Sequence, residues 1–299
     1  MSGKWDMTAY RGNNALYGRV GHVEIEDANG NMLSYGGSHD SLDFKFNVEK
    51  TGDIYVEFSV GILGLGKDTI NDLITWTPQQ ALSKRRLIRV FAGYDSTGED
   101  MIAEGIVWSA IPTPPPEMWL NMKCMKFLDM KDSITEEPNL GEKKTVGAVF
   151  EKIADILGLS SLWEANDELY KKESNFQFMG LTKDMLATKF KKEYDVIVYQ
   201  ESGMLVCIDR YGEYQTPQPK EEISPMNGLI QLSEVGIVGA KIVTRLDDRF
   251  SLYSWLHLDS WLMEKVSGDY LVISKKHTGH FRGEEWQTEF DTLRAVKGT

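Results

Sequence analysis

The sequence predicts a mainly β protein, α+β overall, laid out as a β domain, a small α+β domain and a second β domain. Three observations predict it. Apolar and polar residues alternate through much of the first 128 residues and again after Gly228, the period-2 pattern of half-buried strands. Between these regions the apolar spacing changes to that of amphipathic helices, first over 145–157 and then from Thr182 onward. Two polar stretches, 129–144 and 211–224, mark the junctions. The expected domains are therefore 1–128, 129–222 and 223–299.

Residues 16–26 (LYGRVGHVEIE) read as a strand, and the Asn29-Gly30 step inside Asp27 to Asn31 supplies a turn. Residues 41–48 (SLDFKFNV) place Leu42, Phe44, Phe46 and Val48 on one face, and 53–60 (DIYVEFSV) alternate in the same way. A short helix follows, with Asp68 as its expected N-cap and Ile70, Leu73 and Ile74 on its apolar face. Strands are expected at 86–94, 101–111 and 119–128, the first two joined by the turn Asp95-Ser96-Thr97-Gly98. Six or so strands with one small helix suggest a closed or nearly closed β-barrel.

In the middle region, Val146, Val149, Phe150, Ile153, Ile156 and Leu157 share one helical face, and Gly158 ends the helix. The second helix starts near Thr182, with Leu181 and Leu186 placed as a hydrophobic staple and Leu186, Phe190 and Tyr194 facing inward. Residues 196–199 and 205–208 form a hairpin about Ser202-Gly203. Strands then return at 229–232, 235–244, 253–258, 269–275 and 285–290.

The chain has 299 residues, 41% of them hydrophobic and 11% aromatic, with eight tryptophans, which suits a packed, strand-rich protein. Its formal net charge of −12 argues against a surface that grips nucleic acid, since phosphate contacts need clustered Lys and Arg. It does not argue against a surface that nucleic acid slides past. Cys124 and Cys207 each sit in an apolar run and read as buried free thiols, in keeping with a reducing compartment. The N-terminus lacks a basic segment followed by an apolar one, so no signal peptide is expected. No run approaches the roughly 18 apolar residues of a membrane helix, and no membrane insertion is expected.

Three stretches invite a site. Gly61 to Asp68 (GILGLGKD) nearly spells a phosphate loop, but its last position offers a carboxylate where a hydroxyl is needed for magnesium, so a glycine link between strand and helix is the reading taken. Pro112 to Pro116 contains P-x-x-P and reads as a crossing loop between strands. Lys275 to Trp286 (KKHTGHFRGEEW) holds His277, His280 and Glu284, a candidate metal set for a hydrolase. The histidines are three residues apart, not four on a helix, and strand residues three apart point to opposite faces. A polar hairpin tip is the expectation, with the histidines contacting a neighbour or solvent. No residue is assigned to catalysis, a cofactor or a metal.

Taken together, Val90 to Cys124, Thr145 to Asp209 and Gly228 to Phe290 resemble the baseplate hub proteins of contractile-tailed phages, and more distantly the first part of type VI secretion spike proteins. The resemblance lies in motif order: a strand ending Gly93-Tyr94, a strand with Gly105-Ile106-Val107 and prolines before the next; the helix TVGAVFEKIADILGL, then NFQFMGLTKDML and a hairpin ending MLVCIDR; then GLIQL, GAKIVTRLDD and the long final hairpin. The segment Phe250 to Leu258 lacks the turn glycine often present in hubs.

The resemblance implies two tail-tube-like β-barrel domains separated by the α+β domain, and a homotrimer whose six barrels ring a DNA channel. Such a ring joins the sixfold tail tube protein to the threefold central spike protein. The tape measure and baseplate wedge proteins are further candidate neighbours. The expected location is the virion, in the tail baseplate, after assembly in the host cytoplasm. The function expected is that of a structural adaptor without catalysis and without sequence-specific nucleic-acid binding. The alternatives are a cell-wall hydrolase using the His277, His280 and Glu284 region or a carbohydrate-binding tail component with aromatic platforms.

Overall fold

The computed structural model describes residues 18–37, 42–52, 56–74, 84, 86–126, 132–139, 144–201, 203–209, 221–236, 239–260 and 264–294. In chain order the strands are β1 Arg19–Glu26, β2 Met32–Tyr35, β3 Asp43–Thr51, β4 Glu57–Leu63, β5 Leu87–Tyr94, β6 Gly98–Pro112, β7 Trp119–Met125, β8 Ser160–Trp163, β9 Val196–Glu201, β10 Met204–Asp209, β11 Glu221–Ile223, β12 Leu229–Val235, β13 Gly239–Arg245, β14 Trp255–Leu258, β15 Gly268–His280 and β16 Trp286–Arg294. The helices are α1 Lys67–Leu73, α2 Val146–Leu157, α3 Asp167–Lys171 and α4 Lys183–Tyr194. The chain divides into two compact units: 1–51, 56–126 and 219–299 form one, and 52–55 with 127–218 form the other.

The protein is mainly β. In the first unit the described strands form one large, largely antiparallel sheet in the order β12-β13-β16-β15-β3-β4-β7-β6-β5-β1-β2, with β14 on β15 and β11 on β14. The first and third segments of the sequence meet at β3 and β15, paired from Thr51 with Ser274 to Lys45 with His280. Alternation places the core: Phe44, Phe46 and Val48 of β3, Phe58, Val60 and Ile62 of β4, and Leu120, Met122 and Cys124 of β7 all turn to one face and are buried. Each such side chain contributes on the order of 2 kcal/mol by leaving water.

Several elements differ from expectation. The four residues of β2 are too few to show a period, yet they pair with β1 across the Asn29-Gly30 turn, where Asp27 Oδ1 accepts from the backbone N–H of Asn29 and Asn31 at 2.8 Å each. Gly61 to Leu63 are not a link; they extend β4, paired with β3 and β7 on either side. Asp68 is not the cap of α1. Gly66 holds that position without a side-chain bond, and Asp68 lies in the first turn, where an acid suits the helix dipole. In the segment without the hub-like glycine, Tyr253 takes the turn at φ 58, in the left-handed region.

The turn of the final hairpin lies later than expected. β15 runs through His280, and the turn lies between His280 and Glu285, closed by His280 N–H to the Glu285 carbonyl at 2.8 Å. Gly279 is therefore a strand residue. A Cβ there would come within 2.3 Å of the Phe46 ring, so the glycine lets β15 lie close over β3.

The second unit is α+β. Its sheet is ordered β8-β10-β9, with β8 parallel to β10 and β9 antiparallel to it. Thr145 caps α2 by accepting from Ala148 N–H at 3.2 Å, and Gly158 ends it at φ 68. Val149, Phe150 and Ile153 of α2 meet Leu186 and Phe190 of α4 and Val198, Leu205 and Cys207 of the sheet in one buried cluster. Thr182 precedes α4 but makes no capping bond, because its hydroxyl turns to the Asp184 carboxylate.

Candidate functional site

The hairpin that carries His277, His280 and Glu284 is built into its own unit. Arg19 of β1 reaches the turn and donates to the carbonyls of His280 at 2.9 Å, Gly283 at 2.6 Å and Glu284 at 2.9 Å. Its guanidinium lies 5.5 Å from the centre of the Trp286 ring. Asp43 of β3 accepts from Arg282 N–H at 3.1 Å and pairs with His280 Nε2 at 2.8 Å. Phe281 stacks on Phe44 at 5.3 Å, and Trp286 stands edge-on to Phe44 and Phe46. The expected protruding tip is thus a joint between the first and third segments of the chain.

The two histidines lie on opposite faces of β15, as strand geometry requires. His277 is fully buried, not a contact or solvent residue, and its Nδ1 is 2.9 Å from Thr288 Oγ1. Its Nε2 lies 3.1 Å from Asp248 Oδ1, an ion-pair distance off the line of a well-formed hydrogen bond. Lys275, 1% exposed, reaches the same oxygen at 2.9 Å and the Phe250 carbonyl at 3.0 Å, and Lys50 of β3 stands 3.6 Å from it. Burial alone would raise the Asp248 carboxyl. The adjacent His277 ring and the Lys50 and Lys275 charges outweigh that and hold it well below the usual carboxylate range. Burial pushes the His277 imidazole down to about 4, against the pull of Asp248. The result is a charged carboxylate pinned by two lysines and a neutral histidine, a structural bolt on the loop after β13.

Asp248 also borders a cleft of about 230 Å³, lined in part by Tyr94, Asp100, Arg245, Asp247 and Arg249. Arg249 is committed to Asp247 at 2.6 Å and to Glu221 at 3.1 Å. Among the described residues no group of three or more His, Cys, Asp or Glu could hold a metal ion. The loop after β6 is a closed crossing: Thr113 N–H donates to the Trp119 carbonyl at 2.8 Å, and Trp119 N–H to Thr113 Oγ1 at 2.9 Å. Cys124 and Cys207 are unpaired and fully buried, and burial pushes both thiols well up. No described helix is long and apolar enough to cross a membrane.

The remaining feature is the margin of the large sheet. Among the described residues β2, β12 and the three-residue β11 each have a sheet neighbour on one side only. Leu33 of β2 is 42% exposed, and Ile230 and Val235 of β12 are 51% and 48% exposed. Neither strand carries a proline or a lysine, the usual guards of a free edge. β12 does carry irregularities in its register with β13. Sequence spacing placed 229–232 of β12 but not β2, and could not say that either lies at a margin.

A family defined as baseplate hub gp41 matches residues 32–287, most of the chain. The chain belongs to the baseplate hub gp41 family. It is a structural component of the phage tail, placed in the virion by that membership. The fold agrees. A tail protein from Neisseria meningitidis superposes with a TM-score of 0.63 at 11% identity, covering 93% of this hub and 97% of that chain. The 43 kDa tail protein of prophage MuSo2 from Shewanella oneidensis gives 0.60 at 9% identity, covering 91% and 98%. The E. coli c3393 protein, a type VI secretion component described as similar to the T4 tail proteins gp27 and gp5, gives 0.57 at 10% identity, covering 87% and 76%. Sequence comparison with curated proteins finds no match. At these identities the superpositions speak for the fold, and the hub assignment rests on the family match.

Proposed function

We propose that this hub acts as a homotrimer whose three chains form a pseudo-sixfold ring around a DNA channel, joining the sixfold tail tube to the threefold central spike of a contractile tail. In this reading 1–128 and 223–299 each supply a tube-like barrel element, 129–222 is the intervening α+β domain, and assembly takes place in the host cytoplasm. Tape measure and baseplate wedge proteins are the further neighbours. Similarity to a chain of a Francisella PdpA-VgrG complex, TM-score 0.58 at 10% identity, supports a spike-side partner.

The observation that supports the proposal is that, among the described residues, two unlike strands with exposed apolar side chains, β2 and β12, lie at margins of the sheet in a member of a hub family. Contacts between two different surfaces of one chain are heterologous, and they close into rings when the rotation permits. Docking of these two margins would cover Leu33, Ile230 and Val235 together. The test is the mass of the purified protein by sedimentation together with images of assembled tails. A species three times the 33.9 kDa chain is expected. A stable monomer at high concentration, with no ring in the tails, would overturn the proposal.

A further inference from the structure

The chain has two Asn-Gly steps, Asn29-Gly30 and Asn227-Gly228. Glycine has no side chain to crowd its own nitrogen, so that nitrogen can reach the amide carbon of the asparagine before it. Attack needs the two atoms to meet within about 3–3.5 Å in the right orientation. By sequence the two steps are equivalent. The structure separates them.

Asn227 is clamped at both ends of its side-chain amide. Its Oδ1 accepts from Ser224 N–H at 2.5 Å, and its Nδ2 donates to the Glu222 carbonyl at 2.6 Å. Its own backbone N–H donates to the Ser224 carbonyl at 3.1 Å. An amide tied on both sides cannot swing onto the Gly228 nitrogen. Asn29 is exposed, as are Ala28, Gly30 and Asn31 around it. Its Nδ2 reaches Asp27 Oδ2 only at 3.5 Å, the outer limit of a hydrogen bond. The Gly30 N–H holds the Asp27 carbonyl by a single bond of 3.2 Å. The space beside Gly30 is open: a Cβ built there would have only Glu26 Oε1 within 4 Å, at 3.7 Å.

We infer that Asn29 is a self-modification site, at which the folded chain converts its own amide to a carboxylate while Asn227 stays intact. The Gly30 nitrogen gives its proton to hydroxide, and its electron pair forms a bond to Asn29 Cγ. The Cγ–Nδ2 bond breaks, and ammonia leaves with a proton from water. One water then opens the cyclic imide at either carbonyl, leaving aspartate or isoaspartate.

The product strains its own turn. Either acid sets a negative charge beside Asp27, whose Oδ2 faces an amide nitrogen in the unmodified chain, and like charges that close repel. Isoaspartate also lengthens the main chain by one methylene in the turn that sets the pairing of β1 with β2, from Glu26 with Met32 to Val23 with Tyr35. β2 has four residues and, among the described residues, one sheet neighbour, so its place depends on that register. Chains carrying isoaspartate at position 29 therefore lose the pairing of β2.

The test is to hold the full-length folded protein in mildly alkaline buffer, with a second sample in urea, and to follow both steps by peptide mass mapping after digestion at acid pH. In the folded protein the Asn29 peptide is expected to gain the amide-to-acid mass difference at least about tenfold faster than the Asn227 peptide, because two hydrogen bonds must break before Asn227 reacts. In urea both are expected to convert at similar rates. Asn29→Gln should abolish the conversion, since the longer side chain closes a less favourable ring, and should preserve hydrogen-exchange protection across β2 that the ageing wild type loses. Equal rates at the two steps in the folded protein would overturn the inference, as would an intact Asn29 over a period in which the urea sample converts.

Discussion

Replacing Asp248 with Asn keeps the side-chain shape and removes one charge. In the wild type its Oδ1 lies 2.9 Å from Lys275 Nζ, 3.1 Å from His277 Nε2 and 3.6 Å from Lys50 Nζ. Lys275 is 1% exposed and His277 is fully buried, so water does not take over their solvation when the carboxylate is lost. Breaking a buried pair by removing one partner costs about 3–5 kcal/mol, largely because a charge is left uncompensated. Asp248 itself keeps 21% of its side chain exposed, which places the expected loss near the lower end, about 3 kcal/mol. Lys275→Met leaves Asp248 with Lys50 and His277 and should cost less. The double variant Asp248→Asn with Lys275→Met should recover most of the Asp248 loss, a coupling of about 2 kcal/mol. The assay is urea unfolding followed by tryptophan fluorescence and circular dichroism at one fixed protein concentration, because assembly shifts apparent stability. A loss below about 0.5 kcal/mol for Asp248→Asn, or additive losses in the double variant, would refute the bolt.

Two further outcomes follow from the same region. His277 has a folded pKa of about 4 against an ordinary 6.5, so between these values the unfolded chain binds a proton that the folded chain refuses. Stability should therefore fall by up to about 3 kcal/mol as pH drops from 6.5 towards 4. His277→Gln should flatten that slope, and an unchanged difference in unfolding midpoint between pH 7 and pH 4.5 would count against it. Arg19→Ala removes three short bonds to carbonyls and the Trp286 stack and should cost about 2–3 kcal/mol. Arg19→Lys should recover little, since an ammonium cannot span the carbonyls of one turn as the guanidinium fork does; full recovery by Lys in thermal unfolding would show that charge alone matters.

Much of the fold was legible because it rests on local periodicity. Phe44, Phe46 and Val48 alternate in the sequence and face one core, and Val149, Phe150 and Ile153 share a helix face between Thr145 and Gly158. Motif order was enough to point to the hub family. The bolt was less legible. Lys275 and His277 read as polar tip residues because their burial depends on Asp248, 27 and 29 positions away, and on Lys50, more than 220 positions away.

The sequence by itself determined most of the longer strands, the helices α1, α2 and α4 and the β, α+β, β order, all consequences of spacing along the chain. Only the tertiary structure decided that β3 and β15 pair, that Arg19 fastens the last hairpin, and that β2 and β12 lie at margins of the described sheet. Those facts depend on which distant strands lie side by side. A strand's periodicity states which of its faces is apolar and says nothing about its neighbour.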